Sequence, residues 1–161
     1  ISKKDHFSSL PLSKKLINSG EFSMSEQASG SCLCGRLSYS FDRDHVISAH
    51  HCHCTDCRKM TGSGKATIIM VPTEKLKLNG ELKTFTITGS DGSHVARGFC
   101  PNCGSQLISY VEEMPNIRFI KAGSLDNGEW VKINSSFWSQ SAEPWSPVDP
   151  TCPSFTGNPE P

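Results

Sequence analysis

The chain has 161 residues, enough for one domain of the usual size of roughly 100–200 residues and one modest core, with little left for a second. Sixteen Lys and Arg offset sixteen Asp and Glu, so the composition carries no electrostatic footprint for nucleic acid, and no nucleic-acid partner is expected. The longest aliphatic run, Ile68 to Val71, falls far short of the ~20 residues that span a bilayer, and no membrane partner is expected either.

Residues 1–23 read differently from the rest: no cysteine, several serines, and the pairs Lys3-Lys4 and Lys14-Lys15 against Asp5 and Glu21. They are expected to be a leader, tag or mobile arm ahead of a natural start at Met24. Residues 24–150 then form the domain. Within it Leu37, Tyr39 and Phe41 alternate with Arg36, Ser38, Ser40 and Asp42, the period of a strand with one buried face. Further strands are expected at His45–Cys54, Lys65–Val71, Leu82–Thr88, His94–Phe99, Ser105–Val111, Ile117–Ala122 and Val131–Trp138. Turn chemistry separates them at Thr61–Gly64, Asn79-Gly80, Gly89–Gly92 and Asp126–Gly128. No stretch of ten or more residues carries a helical stripe, so the class is mainly β, with short antiparallel strands. Beyond Ser141 prolines accumulate, and residues 151–161 are expected to be an irregular tail.

Eight cysteines in a chain without a secretory signal suggest a reducing, cytoplasmic setting in which thiols hold metal more often than they form disulfides. Seven of them fall into three groups, Cys32-Leu-Cys34-Gly, Cys52-His-Cys54-Thr-Asp-Cys57 and Cys100-Pro-Asn-Cys103-Gly, and Cys152 stands alone. The last group is a zinc knuckle, whose glycine lets the backbone turn so that both sulfurs reach one ion. In the first group, residues i and i+2 of an extended segment point the same way, so Cys32 and Cys34 are expected to complete a four-cysteine shell with Cys100 and Cys103. A closed shell adds binding free energy to folding and is structural.

The middle group differs. If Cys52 and Cys54 share a strand face and Cys57 returns over a short turn, three thiolates converge, and three protein ligands with a fourth position for water or substrate is the layout of a catalytic zinc. By alternation His50 shares the face of Cys52 and Cys54 and could close the shell instead, while His51 and His53 point away. Three thiolates leave the zinc ion with a net charge of −1, able to take an incoming thiol and ionise it. His50, His51, His53 and Asp56 are the nearest candidate proton donors, and Arg58 and Lys59 directly follow the third cysteine as candidate cations.

With Gly30-x-Cys-x-Cys-Gly35, His51-Cys-His-Cys-x-x-Cys-Arg58 and Gly98-Phe-Cys-x-x-Cys-Gly104 in that order, residues 28–146 resemble the glutathione-dependent formaldehyde-activating enzyme family, which also includes centromere protein V. Glu143-Pro144-Trp145 looks like the closing element of that family. The resemblance implies a β-tent fold and two zinc ions, a structural one on Cys32, Cys34, Cys100 and Cys103 and a catalytic one on Cys52, Cys54 and Cys57. It also implies condensation of glutathione with formaldehyde to S-(hydroxymethyl)glutathione, classed as a carbon–sulfur lyase, with glutathione or another small thiol as partner. Two other readings remain at this point: a zinc-stabilised binding module without catalysis, and a metal or thiol sensor using the middle cysteines.

Overall fold

A computed structural model of the chain describes residues 26–159. The expected arm at 1–23 and start at Met24 lie outside them. Among the described residues the strands form two sheets. The smaller holds β1 (Gln27–Ser31), β2 (Ser38–Asp42) and β5 (Lys77–Asn79) in the order β1-β2-β5, all antiparallel. The larger holds β3 (Ser48–Cys52), β4 (Ala66–Pro72), β6 (Lys83–Thr88), β7 (His94–Phe99), β8 (Gln106–Val111), β9 (Ile117–Lys121) and β10 (Ser135–Phe137), in the order β10-β3-β4-β9-β8-β7-β6.

The alternation seen in the sequence decides what each face does. Tyr39 and Phe41 of β2 are buried while Ser38, Ser40 and Asp42 are not. They meet Ala49 of β3, Ile69 and Val71 of β4, Ile108 of β8 and Ile120 of β9, which form the core between the sheets. The alternate residues of the larger sheet, His50, Ile68, Met70, Val95, Phe119 and Lys121 among them, therefore point to its other face, where they line a cavity. A register shift in the β7–β8 pair, between Gly98 and Phe99, leaves Leu107 unmatched and lets it join the core beside Ile108.

Four features depart from the sequence expectations. β1 and β5 were not expected, since β1 reads Gln-Ala-Ser-Gly-Ser and its inward residues are only Ala28 and Gly30. A seven-residue helix α1 (Thr55–Thr61) replaces the short turn after Cys54 and stops at Gly62, whose φ of 64° suits glycine. β10 pairs with β3 in parallel, against the expectation of antiparallel strands throughout; a connection as long as the one from β3 to β10 permits either direction. Residues 153–157 run beside β10, Ser136 N–H donating to the Pro153 carbonyl at 2.9 Å and Phe155 N–H to the Ser136 carbonyl at 2.8 Å. No helix among the described residues is long and apolar enough to cross a membrane.

Gly30 explains why β1 carries so little sequence signal. A methyl group there would overlap the Tyr39 ring and the Ser124 carbonyl, and Tyr39 Oη lies 2.7 Å from Ser124 Oγ. Gly30→Ala is expected to cost about 1–3 kcal/mol, as overpacking of a filled site does, and to lower the midpoint of a thermal melt. An unchanged midpoint would mean that the Tyr39 contact is not part of the stable core.

Candidate metal centres

The thiol groups of Cys32, Cys34, Cys100 and Cys103 all lie within 4.8 Å of one another, and those of Cys52, Cys54 and Cys57 do the same. Both sets could hold a metal ion.

The first set is made by two similar turns. Gly35 N–H donates to the Cys32 carbonyl and Gly104 N–H to the Cys100 carbonyl, each at 2.9 Å, with φ of 73° at Gly35 and 74° at Gly104. Cys32 and Cys34 thus converge through a turn that follows β1, whereas the sequence suggested strand alternation. Their sulfurs are 3.5 Å apart, and Cys34 Sγ is 3.7 Å from Cys100 Sγ. Leu37 N–H donates to Cys32 Sγ at 3.2 Å, and the Ser105 hydroxyl and backbone amide hold the Cys103 thiol down at about 5. Such donors favour thiolates and thereby metal. Cys32 and Cys100 are buried in the core between the two sheets, so this centre ties the end of β7 to the turn after β1.

The second set lies on the opposite face of the larger sheet. Cys52 ends β3, Cys54 caps α1, and Cys57 sits in the first turn of the helix, its N–H donating to Cys54 Sγ at 3.3 Å. The three sulfurs share charge unequally. Hydrogen bonds from Cys52 and Cys54, aided by Lys121 and Arg97, hold the Cys57 thiol down at about 2, while hydrogen bonding to Cys54 and Cys57 together with burial pushes Cys52 up.

His50 does not join this cluster. Its Nε2 lies 2.6 Å from Ser48 Oγ and its Nδ1 2.8 Å from Ser135 Oγ, its ring stacks on Phe137, and burial lowers its pKa. His51 Nδ1 meets Thr67 Oγ1 at 3.1 Å, and His53 is fully buried with no hydrogen-bond partner at either ring nitrogen. Neither His51 nor His53 lines the cavity, as alternation led us to expect.

The cysteine trio opens into a cavity of about 790 Å³ over the outer face of the larger sheet. Two cations that sequence reasoning missed stand in it. Arg97 of β7 is 9% exposed and Lys121 of β9 is 7% exposed. Arg97 Nη2 lies 3.8 Å from Asp56 Oδ2, and its Nη1 donates to Met60 Sδ at 3.4 Å. Burial lowers the Lys121 pKa, opposed by the charge of Cys57, Cys52 and Cys54. The cations expected at this site go elsewhere: Arg58 pairs with Glu143 and Lys59 is exposed. The missed signal was a charge on the alternating face of an apolar strand, Val95-Ala-Arg97 and Phe119-Ile-Lys121, where a solvated side chain is the commoner outcome.

Trp138 packs against the cluster of Cys52, Cys57 and Ala66. Among the described residues it is the non-glycine with positive φ, 58°, a conformation that costs free energy and is held by its surroundings. Its Nε1 donates to Asn158 Oδ1 at 2.8 Å, and Asn158 Nδ2 donates to Asp91 Oδ2 at 3.3 Å, pinning the tail to the β6–β7 turn across the cavity.

A family model described as glutathione-dependent formaldehyde-activating enzyme matches residues 27–141, which include both cysteine sets and both buried cations. Among solved structures, the chain is similar to a crystal structure of a Rhodobacter sphaeroides protein, with 19% identity, 62% of this chain and 88% of that one covered, and a TM-score of 0.49. No curated protein matches the sequence significantly.

Proposed function

The chain belongs to the glutathione-dependent formaldehyde-activating enzyme family, and from that premise we propose that it is a zinc-dependent carbon–sulfur lyase acting on a glutathione adduct of formaldehyde or a similar small electrophile. The observation that carries this reading is the placement of Cys52, Cys54 and Cys57 at a cavity with two buried cations, Arg97 and Lys121.

Cys52, Cys54 and Cys57 would hold one zinc ion, and Cys32, Cys34, Cys100 and Cys103 a second that only supports the fold. The soft sulfur set suits zinc. Zinc on three thiolates would supply a centre that ionises an incoming thiol at neutral pH. The remaining work falls to the chain. Lys121 and Arg97 would set a positive potential where the aldehyde oxygen gains charge, and Trp138 and Asn158, which line the cavity, would restrict bulk water at the sulfur. In the addition the glutathione sulfur forms a bond to the aldehyde carbon, the carbonyl π pair moves to oxygen, and the proton lost from sulfur ends on that oxygen. The reverse is the lyase direction.

Calorimetric titration of zinc-replete protein tests the sulfur contact. Glutathione is expected to bind and S-methylglutathione to bind at least tenfold more weakly, with glutathione affinity rising as pH approaches its thiol pKa because the bound form is deprotonated. Equal binding of the two would remove the zinc–sulfur contact. Glutathione binding without faster adduct formation by NMR would leave a binding module and end the lyase assignment.

A further inference from the structure

We propose that the cavity beside Cys52, Cys54 and Cys57 takes an electrophile with an apolar body, an aldehyde carrying a chain of several carbons or an aryl group, and that formaldehyde fills only a corner of it. This rests on the reading above and names the substrate class of that same site.

The argument starts from volume. A cavity of about 790 Å³ lies in the range of roughly 300–1,000 Å³ that holds ligands of many atoms. A one-carbon aldehyde is little larger than a water molecule, whose share of the liquid is about 30 Å³. Wall chemistry then narrows the occupant. Ile68 and Met70 of β4, Val95 of β7, Val111 of β8 and Phe119 of β9 all face the cavity, and each is only half-buried, although these strands run through the middle of the larger sheet. Apolar surface is left in a concave space that nothing among the described residues fills, and a ligand that covers it gains about 0.8 kcal/mol per buried methylene, close to fourfold in affinity.

Glutathione cannot supply that cover. It carries two carboxylates and an ammonium group, and setting a charge against Ile68, Met70 or Val111 would strip its water, while the cations of the same wall, Arg97 and Lys121, are matched by Asp56 and the cysteine trio. Its polar ends belong at the rim, where Ser90, Asp91, Ser93 and Asn158 meet solvent. The sulfur reaches the trio, and the substituent that the sulfur acquires in the adduct is left for the wall. Continuity of the wall with the trio supports this. Ile68 is paired with His50 on one side and Lys121 on the other, so the apolar surface begins beside the cation facing the thiols.

S-alkylglutathiones serve as stable mimics of the adduct and read binding without turnover. With the full zinc-replete chain, affinity is expected to rise progressively from S-methyl through S-butyl to S-hexyl, by roughly fourfold per buried methylene. A flat or falling series overturns the proposal. Val111→Trp, which would fill the wall, should flatten the series, and the wild-type series stands even if that variant does not fold. The kinetic arm compares glutathione with formaldehyde, butanal, hexanal and benzaldehyde by NMR. Faster catalysed addition of the larger aldehydes supports the proposal, while turnover of formaldehyde alone overturns it and spares the lyase reading. Rising S-alkyl affinity with no aldehyde turned over removes the lyase reading and keeps the apolar site. If hexanethiol with formaldehyde outruns glutathione with hexanal, the wall serves the thiol and the proposal falls. It also falls if S-hexylglutathione gains over S-methylglutathione only after Phe7, Leu10 and Leu12 are replaced by Ala, since residues 1–23 would then be the occupant.

Discussion

Cys100→Ser should prevent folding or lower stability by several kcal/mol, whereas Cys54→Ser should leave a folded protein. The contrast follows from where the two cysteine sets sit. Cys100 is 1% exposed and belongs to the core that joins the sheets, with Cys32 from the turn after β1 in the same cluster. A structural zinc in such a set contributes its binding free energy to folding, on the order of 10 kcal/mol in small zinc domains, and losing one of four thiolates forfeits most of it. Serine in place of Cys100 also leaves a hydroxyl in an apolar setting, at a further cost of about 1–3 kcal/mol. Cys54 is half-buried at the helix cap on the far face of the larger sheet, in a small cluster with Cys52, Cys57 and Ala66. Serine is itself a good helix cap, so the substitution replaces one capping side chain with another. Thermal melts at matched zinc content, with metal counted per chain, check this. Equal loss of stability from both substitutions would mean that both centres hold the fold and that neither is set aside for chemistry.

What was legible in the sequence follows from how local each signal is. β2 could be read because its two faces differ in polarity from Ser38 to Asp42, and the strands of the larger sheet because turn residues such as Asn79-Gly80 and Gly89–Gly92 separate them. The cysteine sets could be read because seven thiols in three short groups leave few groupings. β1 could not, since its inward side is a glycine pressed against Tyr39 and an alanine, and neither marks a strand. α1 spans seven residues, too few for a helical period to repeat, so Cys57 was assigned to a turn. The parallel pairing of β10 with β3 depends on residues far apart in the chain, and no local pattern encodes it. The largest gap concerned Arg97 and Lys121, whose burial comes from the strands and tail around them, while Arg58 and Lys59, adjacent to the trio in sequence, turn away from it.

Lys121→Met should reduce the rate of adduct formation by roughly 10²–10³ while keeping zinc and fold, the effect expected for removal of one fixed charge aimed at a developing oxyanion. Lys121 ends β9 with 7% of its surface exposed, its ammonium facing Cys57, Cys52 and Cys54, and burial depresses its pKa. A buried ammonium is costly unless an anion offsets it. Zinc on three thiolates would carry −1, and Lys121 would bring that pair to zero, while Arg97 is matched by Asp56. Addition would move the negative charge of the ionised thiol from sulfur to the aldehyde oxygen, and of the two cavity cations Lys121 is the one not already committed to a carboxylate. Methionine keeps the length of the lysine stem, but it removes one partner of a buried charge pair, so the melting midpoint should fall, by the equivalent of about 3–5 kcal/mol, with the fold kept. The loss should fall on kcat more than on KM, because the interaction strengthens only as charge develops on oxygen. Lys121→Arg, which restores the charge at a shifted position, should recover part of the rate. Unchanged kcat in Lys121→Met with full zinc occupancy would reduce Lys121 to a counter-charge for the metal and pass the oxyanion to Arg97, whose Asp56 contact at 3.8 Å is loose enough to be exchanged.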